Sequence, residues 1–510
     1  MRRGLIALVW ILSLSALYYG VADWRDRHAW NEYRQKYEAH VAPLELQAYV
    51  PKPIPDSDNF AAIPFVQTWF GSNRDSNLLN RDTWSQAGKL MSTNWRSEKS
   101  RRFLDLVGWQ EAFAAVRSKA ETPKGGFQTD NLELASRAQA APAVLDGLKD
   151  DEAAFEELRA ASARPDARYP VVYDLDNPWG ILLPHLWAIK FTCLRLQIKA
   201  SAELALGQNE KALEDVKLLL YLTDTLKTEP FLISYLVRAA CLHIAIRPIW
   251  EGLAEHHWTD AQLQQLQARL EAYDFLADMQ SSLRSERAAG VLTVDLLRKK
   301  GLDLLATFED EASPVKFDQQ QKALLGLLGR MMPAGWYDQE KLHYCELYDD
   351  EFRGIVDVSS RRVFAGRITT NGSKSGAFAK SNGDFAYGTP TRGMWHAIFH
   401  HDIMAALLLP SLARIPIRAA AAQTDADQAA IACALERYRL ANGQFPGDLQ
   451  ALVPRFAAHL PNDLITGEPY IYRRSDDDLF VLYSVGWNEK DDGGTPGATM
   501  FDETAGDWVW

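Results

Sequence analysis

The strongest constraint on this chain is a run of nineteen residues without a charge, Gly4 to Ala22, inside the opening MRRGLIALVWILSLSALYYGVADWRDR. As a helix it measures about 28 Å, close to the roughly 30 Å of bilayer hydrocarbon, so it is able to span once. Tyr18, Tyr19 and Trp24 fall where amphipathic rings favour the membrane interface. The run exceeds the roughly 7 to 15 apolar residues usual in a cleaved leader. This favours a retained signal-anchor over a cut after Gly20-Val21-Ala22. Arg2 and Arg3 argue for a cytoplasmic N-terminus, whereas Arg25, Arg27, Arg34 and Lys36 argue the other way. Large downstream domains translocate largely regardless of such charges, so the expected location is the inner (cytoplasmic) membrane, single-pass, with the body extracytoplasmic and periplasmic.

Behind that segment there is enough chain for a large core: 510 residues, 47% of them apolar. A net charge of −12, from 55 basic against 67 acidic residues, repels phosphate backbones and argues against nucleic acid as a partner. Cys193, Cys241, Cys345 and Cys433 are scattered, with neither zinc spacing nor a short disulfide frame. Such cysteines are expected to behave as small buried apolar residues, although an exported body leaves a disulfide open.

Periodicity then predicts helices. Trp30, Tyr33 and Tyr37 extend the first helix beyond the membrane as a stalk over 24–43. Pro51, Pro53, Pro55 and Pro64 forbid a regular helix in PKPIPDSDNFAAIPF and favour an extended segment lying across other elements. Within the body, 44–368, Leu186, Ile189, Cys193, Leu196, Ala200 and Leu204 line one helical face. Thr259 with Gln262 forms a capping box ahead of the stripe Leu263, Leu266, Leu270 and Tyr273. The stretch ASAELALGQNEKALEDVKLLLYL resembles one tetratricopeptide-type hairpin, without a second copy at that period. Residues 369–393, rich in glycine and without hydrophobic period, form a long loop.

The last part, 394–510, is predicted to be a small α+β domain. An amphipathic helix ends at Asn442-Gly443, where left-handed backbone is tolerated. Pro446 blocks its continuation, and Gly447-Asp448 allows a short new helix. Tyr470 to Arg474 and Leu479 to Val485 are β-rich runs joined by a turn over 475–478, a hairpin. The expected fold class is therefore mainly α: a transmembrane helix over 1–23, a helical body, and this α+β ending.

ALERYRLANGQFP followed by LQALV, then LPNDLITGEPYIY and LYSVG before an acidic Gly-rich loop, is similar to the type II secretion major pseudopilins over about 403–494. That resemblance implies a long helix on a small antiparallel sheet. The pseudopilin leader junction is missing, because Gly393 is followed by Met394-Trp395-His396-Ala397-Ile398 without the family's glutamate. This implies a fused, non-polymerising relative. The remaining chain, with PIPDSDNFAAIPF and the closing GDWVW, resembles uncharacterised bacterial proteins anchored by a single helix. In the major pseudopilins the loop after the LYSLG strand binds Ca²⁺, which implies Asn488, Asp491, Asp492 and Asp502 as metal ligands here. Hard oxygen ligands on a glycine turn suit that ion, though six or more are needed.

Other constellations are weaker. His396 and His400, four apart with Asp402 nearby, have zinc-ligand spacing but lack the glutamate of a metalloprotease. Ser313-Pro314-Val315-Lys316 fits a serine-x-x-lysine pattern without its partner motif. Gly372-Ser373-Lys374-Ser375 lacks the glycine a phosphate loop requires before its lysine, and His256-His257 fits a polar helix end. No catalytic motif is evident. The expectation is a membrane-anchored binding or scaffold component with a protein partner. An enzyme with a site between body and Gly-rich loop, or an accessory part of a type II-like secretion or pilus system, are the alternatives.

Overall fold

The computed structural model describes residues 2–70, 83–91, 98–118, 127, 133–308, 319–367, 398–475 and 479–510. The Gly-rich loop, Ser313 to Lys316 and His396 lie outside them. The described chain is mainly helical with two small antiparallel sheets.

Helix α1, Arg2–His40, is continuous. Its first half leaves Ile6, Trp10, Leu14, Leu17 and Val21 exposed, whereas the second half is packed into the body. Trp30 is buried, and Lys341 lies 4.9 Å over its ring. Arg287 is held between the rings of Tyr37 and Tyr348, at 4.6 and 4.4 Å, and pairs with Asp349. The Tyr33 hydroxyl donates to the same carboxylate at 2.8 Å. The expected stalk is thus joined to the body along its length, because its aromatic stripe meets a buried cation.

After α1, the proline-rich segment crosses the body largely as extended chain, but Phe60–Ala62 forms a 3-10 turn and Pro64, expected to forbid a helix, opens a short one over Pro64–Gln67, where its missing N–H costs nothing. Phe60 is fully buried, and the Asn59 side chain donates to the Arg168 carbonyl at 3.0 Å. Helices α2 (Thr83–Leu90), α3 (Leu106–Ser118) and α4 (Leu134–Leu148) share a satellite core around Trp109, Phe113 and Val144. Next come α5 (Glu152–Ala161), α6 (Pro184–Ala205) and α7 (Asn209–Asp224). The last two form the predicted hairpin, which turns at Gly207 with a left-handed φ of 67°.

Helix α8, Leu232–Ala254, is the described helix whose length and composition would suit a membrane, yet 61% of its apolar window is buried, which makes it a core helix. Helix α9, Asp260–Glu271, begins with the Thr259–Gln262 capping box in full. Then follow α10 (Phe275–Lys300), α11 (Gln319–Met331) and α12 (Ala334–Phe352). A two-strand ladder pairs β1 (Val356–Asp357) with β2 (Arg362–Val363).

The final part departs from a separately packed ending. Helix α13, Ile403–Leu412, buries Met404, Ala405 and Leu409. Helix α14, Ile415–Asn442, is unbroken and lies against α8, α9 and α10. Its alanines, from Ala419 to Ala432, belong to the same core as the body, and only Ile431, Ala434 and Leu435 join the cluster under the sheet. Small side chains allow this close approach of several helices at once. Gly443, at φ 78°, caps α14, and Asp448 starts a 3-10 turn over Leu449–Leu452.

The hairpin pairs β3 (Ile471–Arg474) with β4 (Phe480–Ser484), in the register Ile471 with Tyr483. A third strand, β5 (Trp508–Val509), completes the sheet against β4. The four cysteines are free and buried.

Candidate functional site: a charged cleft

Charged residues spaced for one helical face bring this site together. Lys199 and Glu203 lie four apart on α6, and the Gly207 turn returns the chain so that α7 sets Lys211, Glu214 and Asp215 opposite them. Helix α5 adds Glu152, Glu156 and Arg159, and the end of α4 adds Leu145, Leu148 and Lys149. Together with Gln208 these residues, apart from the fully buried Asp215 behind them, line a cleft of about 540 Å³. A second cleft of about 370 Å³, reaching Tyr221 and Arg269, meets the first at Arg159 and Glu214.

The floor of the first cleft is an ion network. Lys199 Nζ donates to Glu203 Oε1 at 2.7 Å and to Asp215 Oδ2 at 2.8 Å. Arg159 Nη2 donates to the other Asp215 oxygen at 2.6 Å. Asp215 therefore has a cation on each oxygen, as a fully buried carboxylate requires. Glu203 is different. It is 2% exposed and shares Lys199 with Asp215, with its carboxyl near enough to that of Asp215 to hydrogen-bond to it when protonated.

Burial, reinforced by the negative charge of Asp215, pushes the Glu203 carboxyl up to about 7. Burial alone would lower Lys199, but Asp215 and Glu203 outweigh it and hold the ammonium above its ordinary value. Near neutral pH the floor thus presents a firm cation and a carboxyl that exchanges its proton readily. The lining contains no hydroxyl, thiol or imidazole. Its polar chemistry consists of carboxylates, ammoniums, one guanidinium and one amide.

The residues proposed for Ca²⁺ are arranged otherwise. Asp502 Oδ1 accepts from the Thr504 and Ala505 amides and the Thr504 hydroxyl, and Oδ2 accepts from the Ala498 amide. Those donors, the Thr504 amide first, lower its carboxyl to about 2. Asp491 accepts from the Tyr483 hydroxyl and the Gly493 amide, and Asp492 from the Asn488 side chain and the Gly506 amide. Asn488 Oδ1 in turn accepts from the Lys490 amide. Both Asp502 oxygens face donors, whereas the donors to Asp491 fall on Oδ1 and those to Asp492 on Oδ2. Among the described residues no group of three or more His, Cys, Asp or Glu is placed to hold a metal ion.

Of the histidines, His256 Nδ1 lies 2.9 Å from Glu436 and His257 Nδ1 2.9 Å from Asn209, so this pair links the end of α8 to α14 and to α7. Asp402 faces His343 at 2.8 Å. Sequence pattern does not reach the charged cleft, since it gives α6 a face for burial and α7 only a place in a helical hairpin. One signal was available: Arg195, Gln197, Lys199 and Glu203 place four polar side chains within a helix otherwise spaced for burial.

No protein family, curated protein or solved structure matches the chain.

Proposed function

We propose that this chain is a membrane-tethered extracytoplasmic binding protein. Helix α1 crosses the bilayer through Gly4 to Ala22, and the cleft between α4, α5, α6 and α7 takes a small polar ligand bearing both signs of charge. The observation that carries the ligand site is the lining of the open cleft of about 540 Å³, where Glu152, Glu156 and Glu214 stand with Lys149 and Lys211 so that both signs of charge surround one space. The lysines of the rim suit the ligand's carboxylate. Two clefts meeting at Arg159 and Glu214 favour an extended molecule, and a short peptide has this chemistry.

Thermal shift and calorimetry with a panel of tripeptides of differing charge test the site. Zwitterionic peptides should bind the wild type, and Lys211→Glu, which reverses the charge of one exposed lining residue, should weaken them about tenfold or more. Equal affinity for both proteins would refute it. Protease added to spheroplasts tests the topology: digestion of the body is expected, and full protection would place it in the cytoplasm.

The order of α14, a short 3-10 turn and the β3–β4 hairpin supports kinship of the C-terminal part with pseudopilins. Enclosure of α14 by α8, α9 and α10 supports a role outside any filament. Co-purification with secretion components would favour the accessory-part reading.

A further inference from the structure

Helix α11 is apolar on both faces. Leu325 faces inward and is fully buried, and Leu328 packs against the same core. On the outward face Leu324, Leu327 and Met331 are 37%, 57% and 73% exposed, at the three- and four-residue spacing that aligns side chains on one side of a helix. A helix of this kind ordinarily has a second apolar neighbour. Here the outer one is missing among the described residues.

The position of α11 along α1 identifies that neighbour. Three residues after Met331 the chain starts α12, whose Gly335 amide donates to Asp23 Oδ1 at 2.7 Å. A Cβ on Gly335 would stand 2.7 Å from the Asp23 backbone, so only glycine allows α12 to meet α1 this closely. Gln339 one turn later donates to Asp26. Asp23 is the first charged residue after the uncharged run. Met331 is four residues from Gly335 and hence within roughly 14 Å of this point, and Leu327 is one helical turn further. The exposed stripe therefore lies beside the place where α1 leaves the hydrocarbon. The helix carries Lys322 and Arg330 and no acid, in a chain of net charge −12. Apolar residues with basic flanks suit the anionic interface of a bilayer.

We infer that α11 is a second, interfacial membrane contact, in which Leu324, Leu327 and Met331 enter the headgroup boundary next to α1 and hold the body against the bilayer. This rests on α1 spanning the membrane. The test uses the full chain in liposomes of phosphatidylcholine and phosphatidylglycerol, with an environment-sensitive fluorophore on L14C, L327C, M331C or R455C. The four natural cysteines are buried and serve as the unlabelled background. Brominated lipids should quench the label at 14, 327 and 331 several-fold more than at 455. Quenching at 14 with 327 and 331 no different from 455 would overturn the interfacial contact and leave the span intact. Absence of quenching at 14 would overturn both. Shielding of 327 that depends on protein density and not on lipid bromination would overturn it in favour of a second copy of the chain.

Discussion

Glu340 offers the sharpest stability test. It is fully buried on α12 and accepts the Met404 amide at 2.8 Å. Burial pushes its carboxyl up to about 8; the Met404 amide opposes this, Asp402 adds to it, and His343 opposes it. The sign follows from linkage. The folded state holds the proton more tightly than the unfolded chain, where the group ionises near its ordinary 4.5. Its stability contribution is therefore fully present below pH 4.5 and is lost as pH rises through about 8. At pH 7 the native group is mostly protonated and the unfolded one ionised, a difference of about 3 kcal/mol. Glu340→Gln keeps an acceptor for Met404 and removes the titration. The variant should match the wild type near pH 4 and exceed it by about 3 kcal/mol at pH 7. With an unfolding entropy of about 1 kcal/mol/K for a chain of this length, that is a rise in melting temperature of about 3 °C. Scanning fluorimetry from pH 4 to 8 in detergent reads it. A shift of the same size and sign at every pH, or a variant less stable at pH 7, would refute the reasoning.

Asp425 on α14 is buried between Arg101 and His243, and Arg101 also lies 4.4 Å over the Trp510 ring. Asp425→Ala leaves the guanidinium buried and unpaired, so it should cost about 3–5 kcal/mol in urea unfolding at pH 7. Gly443→Ala meets no atom within 4 Å, yet places a side chain at φ 78°, so it should lower stability by about 1 kcal/mol with binding unchanged. Melting curves in EGTA and in millimolar Ca²⁺ should coincide while both Asp502 oxygens keep their donors from Ala498, Thr504 and Ala505; a rise with calcium that Asp491→Ala abolishes would show that the loop rearranges to take the ion.

Local signals carried far in this sequence where the determinants are themselves local. The Thr259 capping box, the Gly443 cap and the stripe from Leu186 to Leu204 each depend on a few neighbouring residues, and each is found as expected. Strand β5 was not legible. Its two residues have no strand pattern of their own and are held by Trp508 donating to the Asp502 carbonyl and by pairing with Ser484. Asp507 was missed for the same reason. Fully buried, it accepts the Asp492 and Gly494 amides and so organises the loop from which ligands were expected. The cleft depends on four helices meeting, and helical periodicity alone does not distinguish a buried lysine from one facing solvent.

The position of α14 makes one tertiary question decisive for the whole chain. A helix that served a filament would present its apolar side to other subunits, but here that side is occupied by the body. Three carboxylates spaced along it hold three other regions: Asp425 takes Arg101 and His243, Asp427 takes Arg361 and Tyr470, and Glu436 takes His256. Withdrawal of α14 would expose an alanine-lined seam at the centre of the core and strand the buried guanidinium of Arg101, a cost far above what an exposed helix face offers in return. The helix and the body therefore fold as one unit. The sheet beyond Gly443 is joined to that unit through β5, whose Trp508 carbonyl accepts from Gln428 of α14 at 2.7 Å.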